Sequence, residues 1–80
     1  MNNASQRINE IPEHNAHIRI LAEEYVALVD AMRNGDYADD EEWRRLSSDR
    51  ALVHDELIML TGLTERHQMY AYCRNLLARS

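Results

Sequence analysis

The sequence predicts an all-α domain, in which residues 10–33 and 39–61 form an antiparallel helical hairpin and residues 64–78 add a third helix to a small bundle. Three observations lead to this fold class. Apolar residues recur every three or four positions through each segment, which is the period of one helix face. Residues that favour helix caps stand at the segment boundaries. Two Gly and one Pro in 80 residues are too few turn residues for an all-β chain.

The first helix is predicted from a long apolar stripe and from both of its boundaries. Asn9 is a good N-cap, and Pro12 falls in the first turn, where its missing N–H is no loss. Asn34 and Gly35 end the helix, because Gly readily takes the left-handed conformation that follows a helix. The inward positions are Ile11, His14, Ile18, Leu21, Tyr25, Leu28 and Met32, with Ala22 and Val29 widening the stripe.

The second helix follows an acidic segment. Asp39 is predicted to cap it, and Glu42, three residues later, completes a capping box. Arg50 is the charged interruption of the apolar stripe, and we expect its stem to be buried and its guanidinium to extend into solvent. Gly62 stops the helix in a Schellman-type motif, with Leu63 folding back onto it. The inward positions are Trp43, Leu46, Val53, Leu57 and Leu60.

The third helix is predicted to begin with Thr64 as its N-cap and Glu65 in its first turn, and to end at about Ala78. The short connection after the first helix makes the first two helices antiparallel neighbours. The third helix either closes the bundle within one chain or crosses onto a second subunit. Its inner face carries Met69, Tyr72, Cys73 and Leu76.

The chain length limits the size of the core. We predict one helical domain over residues 1–80, with residues 1–8 frayed, and a homodimer, because so small a core stabilises a lone chain only weakly. Apolar residues off the main stripes have two interpretations: a wide core face with scattered exposed side chains, or a contiguous patch for a partner or a second copy. These residues are Ile20, Ala27, Ala31, Leu52, Met59, Tyr70 and Leu77.

The charge of the chain is acidic, with a formal net charge of -5 and no Lys. Such a chain is poorly suited to following a phosphate backbone. An acidic patch is formed by Asp36, Asp39, Asp40, Glu41 and Glu42. This patch either serves helix capping alone, or it is a negative surface that steers the chain onto a basic partner, including a nucleic-acid-binding surface that it would block.

The corner at Gly62 partly matches a helix-turn-helix. Gly62 and Leu63 fit that motif. Ile58 is bulky where the motif needs a small residue, and Gln68 is polar where it needs a core residue. The third helix is the most basic part of the chain, with side chains that could contact DNA at Arg66, His67, Gln68, Arg74 and Arg79. Against DNA binding, the negative charge of Glu65 at the leading end of this helix would meet the negative phosphate backbone. We therefore expect an ordinary helical corner and keep DNA binding as the alternative.

No set of residues predicts catalysis, a metal site or a cofactor. His14 and His17 have a spacing that can hold a metal ion, but nothing in the spacing brings the candidate further ligands, His54, His67 and Cys73, to them. Residues 30–41 resemble a calcium loop, yet Met32 occupies a position that needs an oxygen ligand. Cys73 is expected to be a small buried apolar residue rather than a nucleophile. We predict a protein that is not an enzyme.

The location predicted from the sequence is cytoplasmic. A lone Cys allows no internal disulfide, which favours a reducing compartment. The first ten residues have no apolar core of the signal-peptide kind, and the longest apolar runs, YVALV and LIML, are much shorter than a membrane span.

These features favour a small acidic protein-interaction module that regulates or inhibits another protein. Aromatic and Arg side chains are the usual energetic centres of interfaces, which puts Trp43, Tyr70 and Arg74 first. The predicted partner-binding surface is Trp43, Leu52, Met59, Arg66, Tyr70, Arg74 and Leu77. The alternative is a helix-turn-helix transcriptional regulator that reads DNA with the helix at residues 64–78.

Overall fold

Three helices and no strand make up the part of the chain that the computed structural model describes, residues 16–79. Helix α1 spans Ala16–Asn34, α2 spans Asp40–Thr61, and α3 spans Arg66–Ala78. This confirms the all-α class and the number of helices. The predicted start of the first helix, with Asn9, Ile11, Pro12 and His14, lies outside the described residues, as do residues 1–8.

Helix α1 is the centre of the bundle. It packs against both α2 and α3, whereas α2 and α3 make few contacts with each other. The core between them is an apolar cluster of Ile18, Leu21, Ala22, Tyr25 and Val26 from α1, Val53 and Leu57 from α2, and Met69, Cys73 and Leu76 from α3. Removing these side chains from water is the main force that holds the helices together.

The predicted inward face of α2 is fully buried only in the middle of the helix. All buried residues of α2 lie between Arg50 and Leu57. Trp43 and Leu60, both predicted to point inward, are 40% and 38% exposed, so this prediction is wrong for them. They lie near the two ends of α2, outside the stretch that the neighbouring helices cover.

Helix α2 begins at the predicted N-cap, Asp39, in a variant of the predicted capping box in which Glu42 bonds the residue before the cap. Asp39 Oδ1 accepts a hydrogen bond from the Glu42 N–H at 2.9 Å, and Glu42 Oε1 accepts one from the Ala38 N–H at 2.6 Å. Asp39 has an extended backbone, as an N-cap requires. Asp39 thereby satisfies one N–H group that the first turn of the helix leaves without a partner, and Glu42 satisfies the N–H of the residue before the cap.

Helix α2 ends at Gly62, but in a simpler motif than predicted. Gly62 has a φ of 79°, and its N–H donates to the Ile58 carbonyl at 2.8 Å, which is the bond of an αL stop. A Schellman motif would direct the Leu63 N–H to that carbonyl. The Leu63 N–H donates instead to Thr61 Oγ1 at 3.1 Å, and the Thr61 hydroxyl donates to the Leu57 carbonyl at 2.8 Å.

The Schellman geometry occurs at the end of α1. Gly35 has a φ of 74°, and the Asp36 N–H donates to the Ala31 carbonyl at 2.9 Å. Asn34 is therefore the last residue of α1, one residue beyond the predicted end.

The N-cap of helix α3 lies one residue later than predicted. Its N-cap is Glu65 rather than Thr64, because Glu65 Oε1 accepts a hydrogen bond from the Gln68 N–H at 2.9 Å. Glu65 therefore takes the capping role that was expected of Thr64, and the helix itself starts at Arg66.

Candidate functional site

The residues predicted to bind a partner lie on two helices, with Trp43, Leu52 and Met59 on α2 and Arg66, Tyr70, Arg74 and Leu77 on α3. Leu52 and Met59 share a face of α2 that is turned away from its buried residues, and they are 66% and 86% exposed. Trp43 is about half a turn from them around the helix axis. The structure therefore brings Leu52 and Met59 together and separates Trp43 from both.

The predicted residues of α3 follow one stripe that meets α1. The Tyr70 hydroxyl donates to Asp30 Oδ1 at 2.6 Å, and Arg74 Nη1 lies 3.9 Å from Asp30 Oδ2. The hydrogen bond to the carboxylate, followed by desolvation, raises the pKa of Tyr70, so the phenol remains a donor at neutral pH. Leu77 is half-buried against the core, and Arg66 is exposed at the start of the stripe.

A cleft of about 220 Å³ opens beside this stripe and receives side chains from all three helices. Its Arg side chains are Arg33 from α1, Arg50 from α2 and Arg66 from α3, and His67 joins them from α3. Its remaining surface is formed by Tyr25, Val29, Met32 and Tyr70. Arg66 and Tyr70, two of the predicted partner-binding residues, thus meet in one concave site.

Arg50 forms the buried end of the cleft. It is only 9% exposed, so the expectation that its guanidinium would extend into solvent is wrong. The guanidinium lies beside the Tyr25 hydroxyl, which is itself almost fully buried. Burial, the largest effect on this phenol, raises the pKa of Tyr25 despite the nearby Arg50 charge. Tyr25 therefore stays neutral and cannot balance the charge of Arg50.

Arg33 and Arg66 stand at the mouth of the cleft, where both are exposed. The Arg33 guanidinium lies 4.8 Å from the centre of the Tyr70 ring, a cation–π distance that orients it. Within residues 16–79, no carboxylate approaches Arg33, Arg50 or Arg66 to the 4.0 Å of an ion pair. The cleft thus gathers three guanidinium charges that this part of the chain does not neutralise.

His54 lies next to this charge. It is buried, its ring centre is 5.4 Å from that of Tyr25, and its Nε2 has no hydrogen-bond partner among the described residues. Burial, and then the Arg50 charge, lower the pKa of His54, so its ring stays neutral at neutral pH.

The carboxylates nearest the rim are already engaged. Glu65 Oε2 lies 3.1 Å from His67 Nδ1, while Glu65 Oε1 caps α3. The hydrogen bond from the Gln68 N–H, followed by that from His67, lowers the pKa of Glu65. Asp30 is held by Tyr70 and Arg74.

The acidic patch lies in the connection between α1 and α2 and in the first turn of α2, and none of its residues lines the cleft. Asp39 and Glu42 are committed to the capping box. Asp36, Asp40 and Glu41 are exposed.

Cys73 is fully buried, as predicted, and burial raises the pKa of its thiol to about 11. The thiol is therefore protonated at neutral pH. Among residues 16–79 no three His, Cys, Asp or Glu side chains come together as a metal site. His17 Nε2 lies 3.5 Å from Glu56 Oε2, and His14, its predicted companion, is outside the described residues.

Arg33, Arg50 and Asp30 had not been identified from the sequence as site residues. Arg50 was detectable in principle, because it interrupts an apolar stripe where a charge is costly. Asp30 and Arg33 had no such signal, since their contacts to Tyr70 join residues far apart in the chain.

No protein-family model matches this chain, and no curated protein or solved structure matches it either. None of the helices in residues 16–79 has both the length and the apolar character needed to cross a bilayer.

Proposed function

We propose that this chain is a non-enzymatic protein-interaction module that regulates or inhibits a partner protein in the cytoplasm. The observation that carries the proposal is the exposed face formed by Leu52 and Met59 on α2. Two large apolar side chains on one solvent-facing surface add nothing to the stability of a lone bundle, whereas burying them in a complex is favourable.

The stripe of α3 supports the same proposal. Tyr70 and Arg74 belong to the residue types that most often dominate binding energies, and both are positioned by Asp30. A side chain that is already ordered loses less entropy when a partner binds. The exposed acids Asp36, Asp40 and Glu41 would favour a partner with a basic surface.

The proposal includes a homodimer built on an antiparallel hairpin of α1 and α2. The contact between His17, near the start of α1, and Glu56, near the end of α2, supports the antiparallel arrangement. The Leu52 and Met59 face supports self-association, because the same patch on two copies can pair about a twofold axis.

The test replaces the exposed apolar face without changing helix propensity. Leu52→Gln with Met59→Gln is compared with Ala71→Gln plus Ala78→Gln, which lie at exposed positions on α3. Light scattering should give a dimer for the wild type and for the Ala pair, and a monomer for the Leu52 and Met59 pair. Affinity capture with mass spectrometry should lose the partner in the same variant. A monomeric wild type that captures no partner would refute the proposal.

DNA binding is the second candidate, favoured by the exposed Arg66, His67 and Gln68 at the start of α3. The few contacts between α2 and α3 and the Glu65 cap argue against it, since a helix-turn-helix packs its two helices together. A mobility-shift assay on mixed DNA at low salt, with Arg66→Ala as control, tests whether the chain binds DNA. No shift at micromolar protein ends this candidate.

A further inference from the structure

The cleft holds a buried charge that the described residues leave unbalanced. Arg50 is 9% exposed, lies beside a neutral phenol, and has no carboxylate within ion-pair distance in residues 16–79. Arg side chains are almost never buried unless they are paired, because removing the charge from water is expensive. The position of Arg50 is thus explained if an anion enters the cleft.

Two more guanidinium groups point to the same anion. Arg33 and Arg66 line the cleft together with Arg50, one from each helix, so the three charges converge on a shared space. Like charges that line one cleft repel each other, and an anion between them would relieve this repulsion. The nearby carboxylates of Asp30 and Glu65 are held at the rim by other partners.

The size and lining of the cleft limit the kind of anion. Its volume of about 220 Å³ is below the roughly 300–1,000 Å³ of pockets for drug-sized ligands. Planar guanidinium groups match the oxygens of phosphate and can donate two parallel hydrogen bonds each. Val29 and Met32 provide an apolar surface beside the charges.

We propose that this cleft binds a phosphate group, either inorganic phosphate or the end of a small phosphomonoester, with Arg50 as the buried anchor and Arg33 and Arg66 at the mouth. The two sources share the same dianionic oxygens, and the apolar surface of Val29 and Met32 would contact the organic part of an ester. This binding site goes beyond the proposed protein-interaction function and does not depend on it.

The experiment follows the Nε–Hε signals of the arginines by nuclear magnetic resonance in the full chain. Sodium phosphate and phenyl phosphate are titrated separately, with sodium chloride at matched ionic strength as the blank. The signals of Arg33, Arg50 and Arg66 should shift to saturation with phosphate and not with chloride. Tighter binding of phenyl phosphate identifies a monoester ligand, and equal binding identifies inorganic phosphate.

Two variants with matched charge changes separate the cleft from the general surface. Arg66→Gln removes an exposed charge from the mouth and should weaken phosphate binding about tenfold or more. Arg44→Gln removes an exposed charge of α2 outside the cleft and should change the affinity by less than about twofold.

Three results would overturn the proposal. The first is the absence of a saturable shift with either phosphate compound. The second is an equal loss of affinity in Arg44→Gln and Arg66→Gln, which would reveal unspecific charge attraction. The third is a response of these signals to duplex DNA alone, which would assign the arginines to a phosphodiester backbone instead.

Discussion

Arg50 and Leu57 lie two helical turns apart on the same buried face of α2, and their surroundings differ completely. Leu57 is fully enclosed by the apolar cluster that joins α1, α2 and α3. Arg50 meets the neutral Tyr25 and two further guanidinium groups across a cleft. One end of this face stabilises the fold, while the other places a charge where the fold alone gains nothing from it. The contrast separates the residues that hold the bundle from those that are available to bind.

The largest expected effect on stability comes from a substitution at Leu57, the apolar end of this face. Leu57→Ala should lower the free energy of unfolding by about 2–5 kcal/mol, because it removes a fully buried side chain and leaves a cavity. For a domain of this size, that is a large part of the total stability. Urea unfolding followed by circular dichroism measures it. The control, Ile20→Ala, removes a 56% exposed side chain and should cost less than about 1 kcal/mol.

At Arg50, the charged end of this face, a substitution should not lower the free energy of unfolding. Arg50→Met keeps a long apolar stem and removes an unbalanced buried charge, so the unfolding free energy should stay equal or rise by about 1 kcal/mol. The same variant should lose phosphate binding in the titration above. A strong loss of stability in Arg50→Met would show that Arg50 supports the fold, and the contrast with Leu57 would then disappear.

A smaller effect on stability, from His54, should depend on pH. Because the pKa of His54 is lowered in the fold, the unfolded chain binds its proton first as the pH falls below 6.5, the ordinary value. The contribution of His54 to the free energy of unfolding is therefore intact above about pH 6.5 and is lost as the pH falls towards the lowered pKa. His54→Phe keeps an aromatic ring beside Tyr25 and should flatten this decline. Unfolding free energies at several pH values between 7.5 and 5 measure it.

The control for the His54 variant is His67→Gln, at an exposed position on α3. The His67 ring contacts Glu65 at the surface rather than the core, so this variant should not flatten the decline of stability between neutral and mildly acidic pH. If the decline persisted in His54→Phe and vanished in His67→Gln, the pH-sensitive group would be His67 rather than His54.

The sequence predicted those parts of the fold that local rules determine. Helix α2 begins at the Asp39 capping box and ends at Gly62, as expected, because both devices are built from residues within one turn. The start of α3 was misplaced because Thr64 and Glu65 can both accept from the first turn, and only the folded geometry selects Glu65. Similarly, periodicity placed Trp43 and Leu60 inward without indicating how far the neighbouring helices cover α2.

The candidate site could be predicted only in part, because it depends on contacts between distant residues. Arg66 and Tyr70 were selected as residue types that favour binding, and both line the cleft. Their neighbours Arg33 and Arg50 come from the other two helices, and no local pattern shows that these helices meet there. The pairing of Tyr70 with Asp30 likewise spans forty residues.

The central place of α1 also has a consequence during synthesis. Of the three helices, α1 leaves the ribosome first, yet it is the one that both others pack against. A helix such as α1, with 19 residues, draws most of its stability in a protein from tertiary packing rather than from its own propensity. The apolar stripe of α1 therefore stays exposed to solvent until α2 and then α3 have been translated. This delay lasts several seconds at about 5–20 residues per second. During that interval, the nascent chain exposes the surface that a chaperone would recognise.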